Sequence, residues 1–249
     1  MWHIDGHHKL IRWRMVTHGG IDGYSRLPVY LKCSTNNKAQ TVAESFTQAM
    51  HQYGIPKKVC ADMGGENVIV ANIMMQHPQR GVGTFITGRS VHNQRIERFW
   101  RDVHTGCTST FYNLFYKMED LGLLNTDCEK DMFALQYTFL PIINNGLEKF
   151  RHSFSRHKLR TEKNRSPMQL WRSAFNDIEW FVENDLPENL RHQENELNVD
   201  RILVPNELDL TNVQLERIAD DFPYAVRELA SEEEQITYFS SLKEFLNTM

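Results

Sequence analysis

Three acidic residues stand where the local sequence delivers carboxylates at the end of a strand, at the end of a second strand and on a helix. That order restricts the folds open to this chain. Asp5 closes the run Trp2, His3, Ile4, which reads as the end of an apolar strand. Asp62 follows Val59, Cys60 and Ala61, a short strand that runs into a turn at Gly64 and Gly65. Glu97 lies in a helical segment. At about 100° per residue, Ile96, Phe99, Trp100 and Val103 gather on one side, and Asn93, Glu97, Arg101 and His104 on another. With 34 residues between Asp62 and Glu97, only a fold can bring the three together.

The intervening sequence supplies the rest of such a fold. Residues 15–22 and 27–33 read as strands, the second from the alternation of Leu27, Val29, Leu31 and Cys33. Gly23, Tyr24, Ser25 and Arg26 make a tight turn between them. Residues 38–53 form the clearest helix, with Val42, Phe46, Met50 and Tyr53 at helical spacing. Asn36 or Asn37 caps its start, and Gly54 with Pro56 ends it. Residues 67–77 read as a second helix and Phe85-Ile86 as the last strand. Strands and helices in this order predict an α/β fold, a mixed sheet flanked by helices. Only four residues precede Asp5, so the expectation is either a short first strand or a chain that starts inside a longer gene product.

Three carboxylates in this order suit phosphodiester chemistry. Two Mg²⁺ ions about 3.5–4 Å apart activate an oxygen nucleophile and stabilise the leaving oxygen, and Mg²⁺ takes hard oxygen ligands such as carboxylates. Over roughly residues 2–171 the pattern resembles the retroviral and transposon integrase core of the domesticated kind. The resemblance implies a ribonuclease-H-like sheet, its first three strands antiparallel and later strands parallel to the first. It also implies Asp5, Asp62 and Glu97 as catalytic ligands of two Mg²⁺ or Mn²⁺ ions, DNA as partner, and a homo-oligomer. Asp22, in Ile21, Asp22, Gly23, Tyr24, matches a family motif as a structural turn acid and stays outside the metal site. Glu66 is near the site without being one of the three ligands. Asn67 departs from the family, which commonly has an aromatic residue there. His7, His8 and His92 invite a metal reading, but Mg²⁺ prefers oxygen. Adjacent histidines on an extended chain also point to opposite faces, so at most one of His7 and His8 reaches a metal shared with Asp5.

Charge divides the chain. Residues 1–175 carry 23 Lys and Arg against 14 Asp and Glu, a net +9, whereas residues 176–249 carry 5 against 18, a net −13. The division predicts a catalytic core with a helical extension over 1–175 and an acidic, partly helical tail over 176–249. A basic body suits a polyanionic partner. Within it, the stretch 150–165 clusters cations around Phe154 and Leu159, and Arg156, Lys158 and Arg160 join Asn93, Arg101 and His104 as candidate DNA contacts. Pro141 is expected to kink or break the helical stretch 131–145. Ser166, Pro167 and Trp171 resemble the proline-containing segment that closes many integrase cores. In the tail, 184–198 reads as a polar loop, 203–205 as a short strand, and 212–218 and 231–246 as helices, the last with an apolar stripe of Ile236, Phe239, Leu242 and Phe245.

Cys33, Cys60, Cys107 and Cys128 are widely spaced, which favours reduced thiols over a disulfide framework or zinc site. No apolar run suggests a membrane span and no charged-then-apolar pattern suggests a signal peptide, so a nuclear or cytoplasmic, non-secreted protein is expected. No phosphate-binding glycine loop, nucleophile elbow or dinucleotide fingerprint is present. The sequence leaves two functions open: a two-metal polynucleotidyl transferase or endonuclease, and a non-catalytic module that keeps the fold to bind nucleic acid or protein.

Overall fold

The computed structural model describes residues 1–88, 93–175, 208, 210–223 and 231–248. Its centre is β1 (Trp2–His7), which pairs antiparallel with β2 (Val16–Asp22) and parallel with β4 (Val59–Ala61). β3 (Pro28–Ser34) lies outside β2 and β5 (Phe85–Thr87) outside β4, giving the order β3-β2-β1-β4-β5. The first three strands are antiparallel and the last two run parallel to the first. β1 does not end at Asp5; it continues for two residues, so the acid sits inside the strand.

Alternation along β1 sorts its side chains to two faces. Trp2 and Ile4 pack with Val59 and Ala61 beneath α1 (Ala39–Tyr53) and α2 (Val68–Gln76). His3, Asp5 and His7 face the other layer, formed by α3 (Gln94–Val103), α4 (Ser109–Asp120) and α5 (Glu129–Arg156). β2 is buried along its whole length, as expected of a strand covered on both faces. Asp22 closes the β2–β3 turn, its Oδ2 accepting from the N–H groups of Tyr24 and Ser25 and from Ser25 Oγ. Asn36 organises the entry to α1 by accepting from the Lys38 N–H and Thr41 Oγ1. Gly54, at φ 77°, ends that helix with its N–H on the Met50 carbonyl.

Of the kink or break expected at Pro141, the break does not occur. Pro141 neither breaks nor ends its segment, and α5 runs 28 residues through it. The proline sits in a stretch buried nearly all round, Met132 to Leu140 and Ile143, so packing outweighs the lost hydrogen bond. Three residues on, the Asn144 carboxamide bonds both the N–H (2.8 Å) and the C=O (3.0 Å) of Cys33 on edge strand β3. The basic stretch 150–165 spans a helix end and a loop. It begins in the last turns of α5 and continues into a tight loop closed by a Leu159–Arg165 bridge, with Lys163 and Asn164 left-handed. α6 (Pro167–Phe175) follows, with Ser166 and Gln169 bonding each other's backbone N–H.

The described tail packs on the body. α7 (Asn212–Asp221) and α8 (Glu232–Thr248) contribute Ile218, Phe239, Leu242 and Leu246 to the core that holds α3, α4 and α5, with Ile236 and Phe245 half-buried beside them. The expected polar loop 184–198 and strand 203–205 lie outside the described residues. No described helix is long and apolar enough to cross a membrane. The four cysteines are free thiols.

Candidate active site

β1 and β4 meet in the register Trp2 opposite Val59 and His3 opposite Cys60. Carried two residues past its last pair, that register points to Asp5 and Asp62 as neighbours, Asp62 being the residue after β4. Asp5 falls on the face that carries α3, bonded to Trp100, and Asp62, one residue past β4, lies near enough for its charge to act on Asp5. Burial pushes the Asp5 carboxyl up to about 6, and the negative charge of Asp62 pushes in the same direction. Bonds from the Trp100 indole and the Gly6 N–H pull the other way without cancelling the burial. Two hard-oxygen donors whose charges repel in a partly dry cleft fit a divalent cation, which relieves the repulsion.

α3 lies along β1. Asn93 at its start takes a bond from His3 Nδ1 (2.7 Å) and donates to the Ile4 carbonyl (3.1 Å). Trp100 donates from Nε1 to Asp5 Oδ2 at 2.9 Å, while His7 stacks flat on its ring at 4.9 Å between centroids. His104, further along, lies 6.3 Å from the His7 ring. Glu97 sits between Asn93 and Trp100 along the helix. Trp100 packs over Gly19 of β2. Glu97 is exposed and lines an open groove with Gln94, Arg98 and Arg101. Among the described residues, no three His, Cys, Asp or Glu side chains stand together closely enough to hold a metal ion. The fold therefore brings Asp5 and Asp62 together, while Glu97 stands apart on the neighbouring helix face.

The other candidate residues divide. Asn93 does not share the exposed face with Glu97: it is 3% exposed, and its carboxamide is spent on β1. The reason is its place at the helix start, where it turns under α3 toward the strand. Arg101 is exposed in the groove. His104 is half-buried, with Nδ1 on Thr108 Oγ1 at 3.1 Å. Arg156, Lys158 and Arg160 are exposed at the far end of α5 and in the loop beyond. Two buried side chains touch the carboxylates, contacts the sequence did not reveal. One is Trp100. The other is Asn67, whose Nδ2 donates to Asp62 Oδ1 at 3.1 Å and to Glu66 Oε1 at 3.4 Å. A buried indole needs an acceptor for its N–H, which was the available signal for Trp100; Asn67 gave only its odd residue type.

Comparison with known proteins adds the family. The family model described as Integrase core domain matches residues 1–179. The chain belongs to the integrase core family. No curated protein matches it. Among solved structures, this integrase core is similar to the HTLV-2 integrase catalytic core domain in complex with magnesium, at 14% identity and TM-score 0.43, over 68% of this chain and 93% of that one. It is also similar to a chain of the simian T-cell lymphotropic virus intasome in complex with PP2A regulatory subunit B56 gamma. There the identity is 14% and the TM-score 0.46, over 75% of this chain and 56% of that chain. The mixed five-stranded sheet flanked by helices is the ribonuclease-H-like fold of this family.

Proposed function

We propose that this integrase core is a divalent-metal-dependent phosphodiester transferase or endonuclease acting on DNA. The observation that supports the reading is the parallel pairing of β1 with β4, which brings Asp5 and Asp62 near enough for their charges to interact. Asp5 and Asp62 hold the cations, and Glu97, exposed on the flank of α3, is the third carboxylate. When bound, two Mg²⁺ or Mn²⁺ ions supply an activated oxygen nucleophile and stabilise the departing 3′-oxygen. Arg98 and Arg101 border Glu97 in the same groove and are suited to gripping the backbone phosphates on either side of the reacting bond. Arg156, Lys158 and Arg160 add affinity that is largely independent of sequence and falls with salt. The protein works as a homo-oligomer, in the nucleus or cytoplasm.

A nicking and strand-joining assay on duplex DNA with Mg²⁺ or Mn²⁺ tests the reading. Asp5→Asn, Asp62→Asn and Glu97→Gln should each abolish product, and product from the triple variant would overturn it. One observation favours a second reading, a non-catalytic nucleic-acid- or protein-binding module: Glu97 does not close on the aspartate pair among the described residues. That module binds DNA without needing the carboxylates, so metal-independent DNA binding with no cleavage by wild type would select it.

A further inference from the structure

Each aspartate of the pair has one oxygen held by a neutral donor from a different part of the chain. Trp100 Nε1 holds Asp5 Oδ2 at 2.9 Å, and Asn67 Nδ2 holds Asp62 Oδ1 at 3.1 Å. Both donors are fixed. Asn67 is 4% exposed at the start of α2 and is shared with Glu66. Trp100 is 5% exposed, stacked on His7 with 13° between the rings. Its indole reaches Asp5 by crossing β2 at Gly19, which pairs with Asp5 across the sheet. A Cβ on Gly19 would sit 2.6 Å from the ring's Cη2, so the approach depends on the missing side chain.

The chemistry of these donors is informative. An arginine or lysine in either place would orient the carboxylate but also neutralise it and compete with a cation. An indole N–H and a carboxamide orient it and leave its charge in place. We propose that Trp100 and Asn67 are positioning residues, which fix the two aspartates for a divalent cation, with Gly19 as the space that admits the indole. This rests on the reading of Asp5 and Asp62 as metal ligands. Partners of this kind set ligand geometry, and their loss typically weakens metal binding about 10–100-fold.

Mn²⁺ binding to the full chain provides the test, by calorimetry and by paramagnetic broadening of the indole N–H signals of ¹⁵N-labelled protein. In wild type, Mn²⁺ should broaden the Trp100 signal, identified by its loss in Trp100→Phe, well before that of Trp13, whose indole is bonded to Glu119 at 2.8 Å. Trp100→Phe keeps the ring in its slot, and Asn67→Leu keeps the shape at Asp62. Each should weaken Mn²⁺ binding about tenfold or more while thermal unfolding stays cooperative. Gly19→Ala leaves Trp100 in the chain but pushes the indole aside, and should weaken binding as Trp100→Phe does, which covers the case in which Trp100→Phe does not fold. If Asp5→Asn and Asp62→Asn lose Mn²⁺ but the three positioning variants bind it as wild type does, the positioning role is overturned and the ligand assignment stands. If wild type takes up no Mn²⁺ and the Trp100 signal stays sharp, both are overturned.

Discussion

A carboxyl held at about 6 by burial and by the charge of Asp62 binds its proton more tightly folded than unfolded. Its contribution to stability is therefore fully present below pH about 4 and is lost as pH rises through 6. At neutral pH, in the absence of metal, Asp5 works against the fold. Asp5→Asn keeps an oxygen for the Trp100 indole and removes the charge, so it should raise unfolding stability at pH 8 in EDTA by about 1–3 kcal/mol, with little change at pH 4. Urea melts at the two pH values measure this, and a variant no more stable than wild type at pH 8 would show that Asp5 is well solvated. His18 has the opposite sign. Burial lowers its pKa, against a bond with the Asn36 carbonyl, so its stabilisation is present above 6.5 and lost as pH falls. His18→Gln should flatten the decline in melting temperature between pH 7 and 5. A slope as steep as wild type would assign that decline to other groups. At this scale the aspartates could be read from sequence, because an acid after an apolar strand is a local pattern. The donors Trp100 and Asn67 could not: the indole bond spans 95 residues, and Asn67 is defined by what it touches.

Elements were legible where their signals were local. Helix α1 with its Gly54 stop, the β2–β3 turn and the amphipathic stripe of α3 all follow from spacing and turn chemistry. The continuity of α5 does not, because it is decided by contacts distant in sequence. Proline propensity argued for a break at Pro141, and the buried environment of α5 overrode it. Asn144 shows how the second half of that helix is held, since it pairs both backbone groups of Cys33 on a strand that lies at the sheet edge. Asn144→Ala leaves that N–H and C=O without their side-chain partner and should cost about 1–3 kcal/mol. It should also speed hydrogen exchange at the Cys33 amide. Unchanged exchange there would mean that β3 does not need the helix to close its edge.

For the whole molecule, the charge division raises the question of whether the acidic tail competes with DNA for the basic body. α8 anchors near the start of α5, where Lys243 pairs with Asp131 at 2.7 Å and Lys130 reaches the Leu246 carbonyl at 2.6 Å. The exposed cations at the other end of that helix begin at Lys149, roughly 27 Å away at 1.5 Å per residue. That is about three times the roughly 8 Å screening length at physiological salt, so charge at the α8 anchor scarcely reaches the basic loop. What α8 does supply is buried apolar surface, with Phe239, Leu242 and Leu246 all within the core. Leu242→Ala should therefore cost about 2–5 kcal/mol, and deletion of residues 231–249 should lower the melting temperature and promote aggregation by baring the covered side of α5. Neither change should alter the dependence of DNA affinity on salt. Replacing Arg156, Lys158 and Arg160 by Ala should do the reverse, leaving stability nearly unchanged while reducing the slope of log affinity against log salt by about one per lost phosphate contact. Titrations of one duplex at several salt concentrations separate the two cases. A steeper slope in the deletion variant, with its melting temperature unchanged, would make the tail a competitor for DNA and not a part of the core.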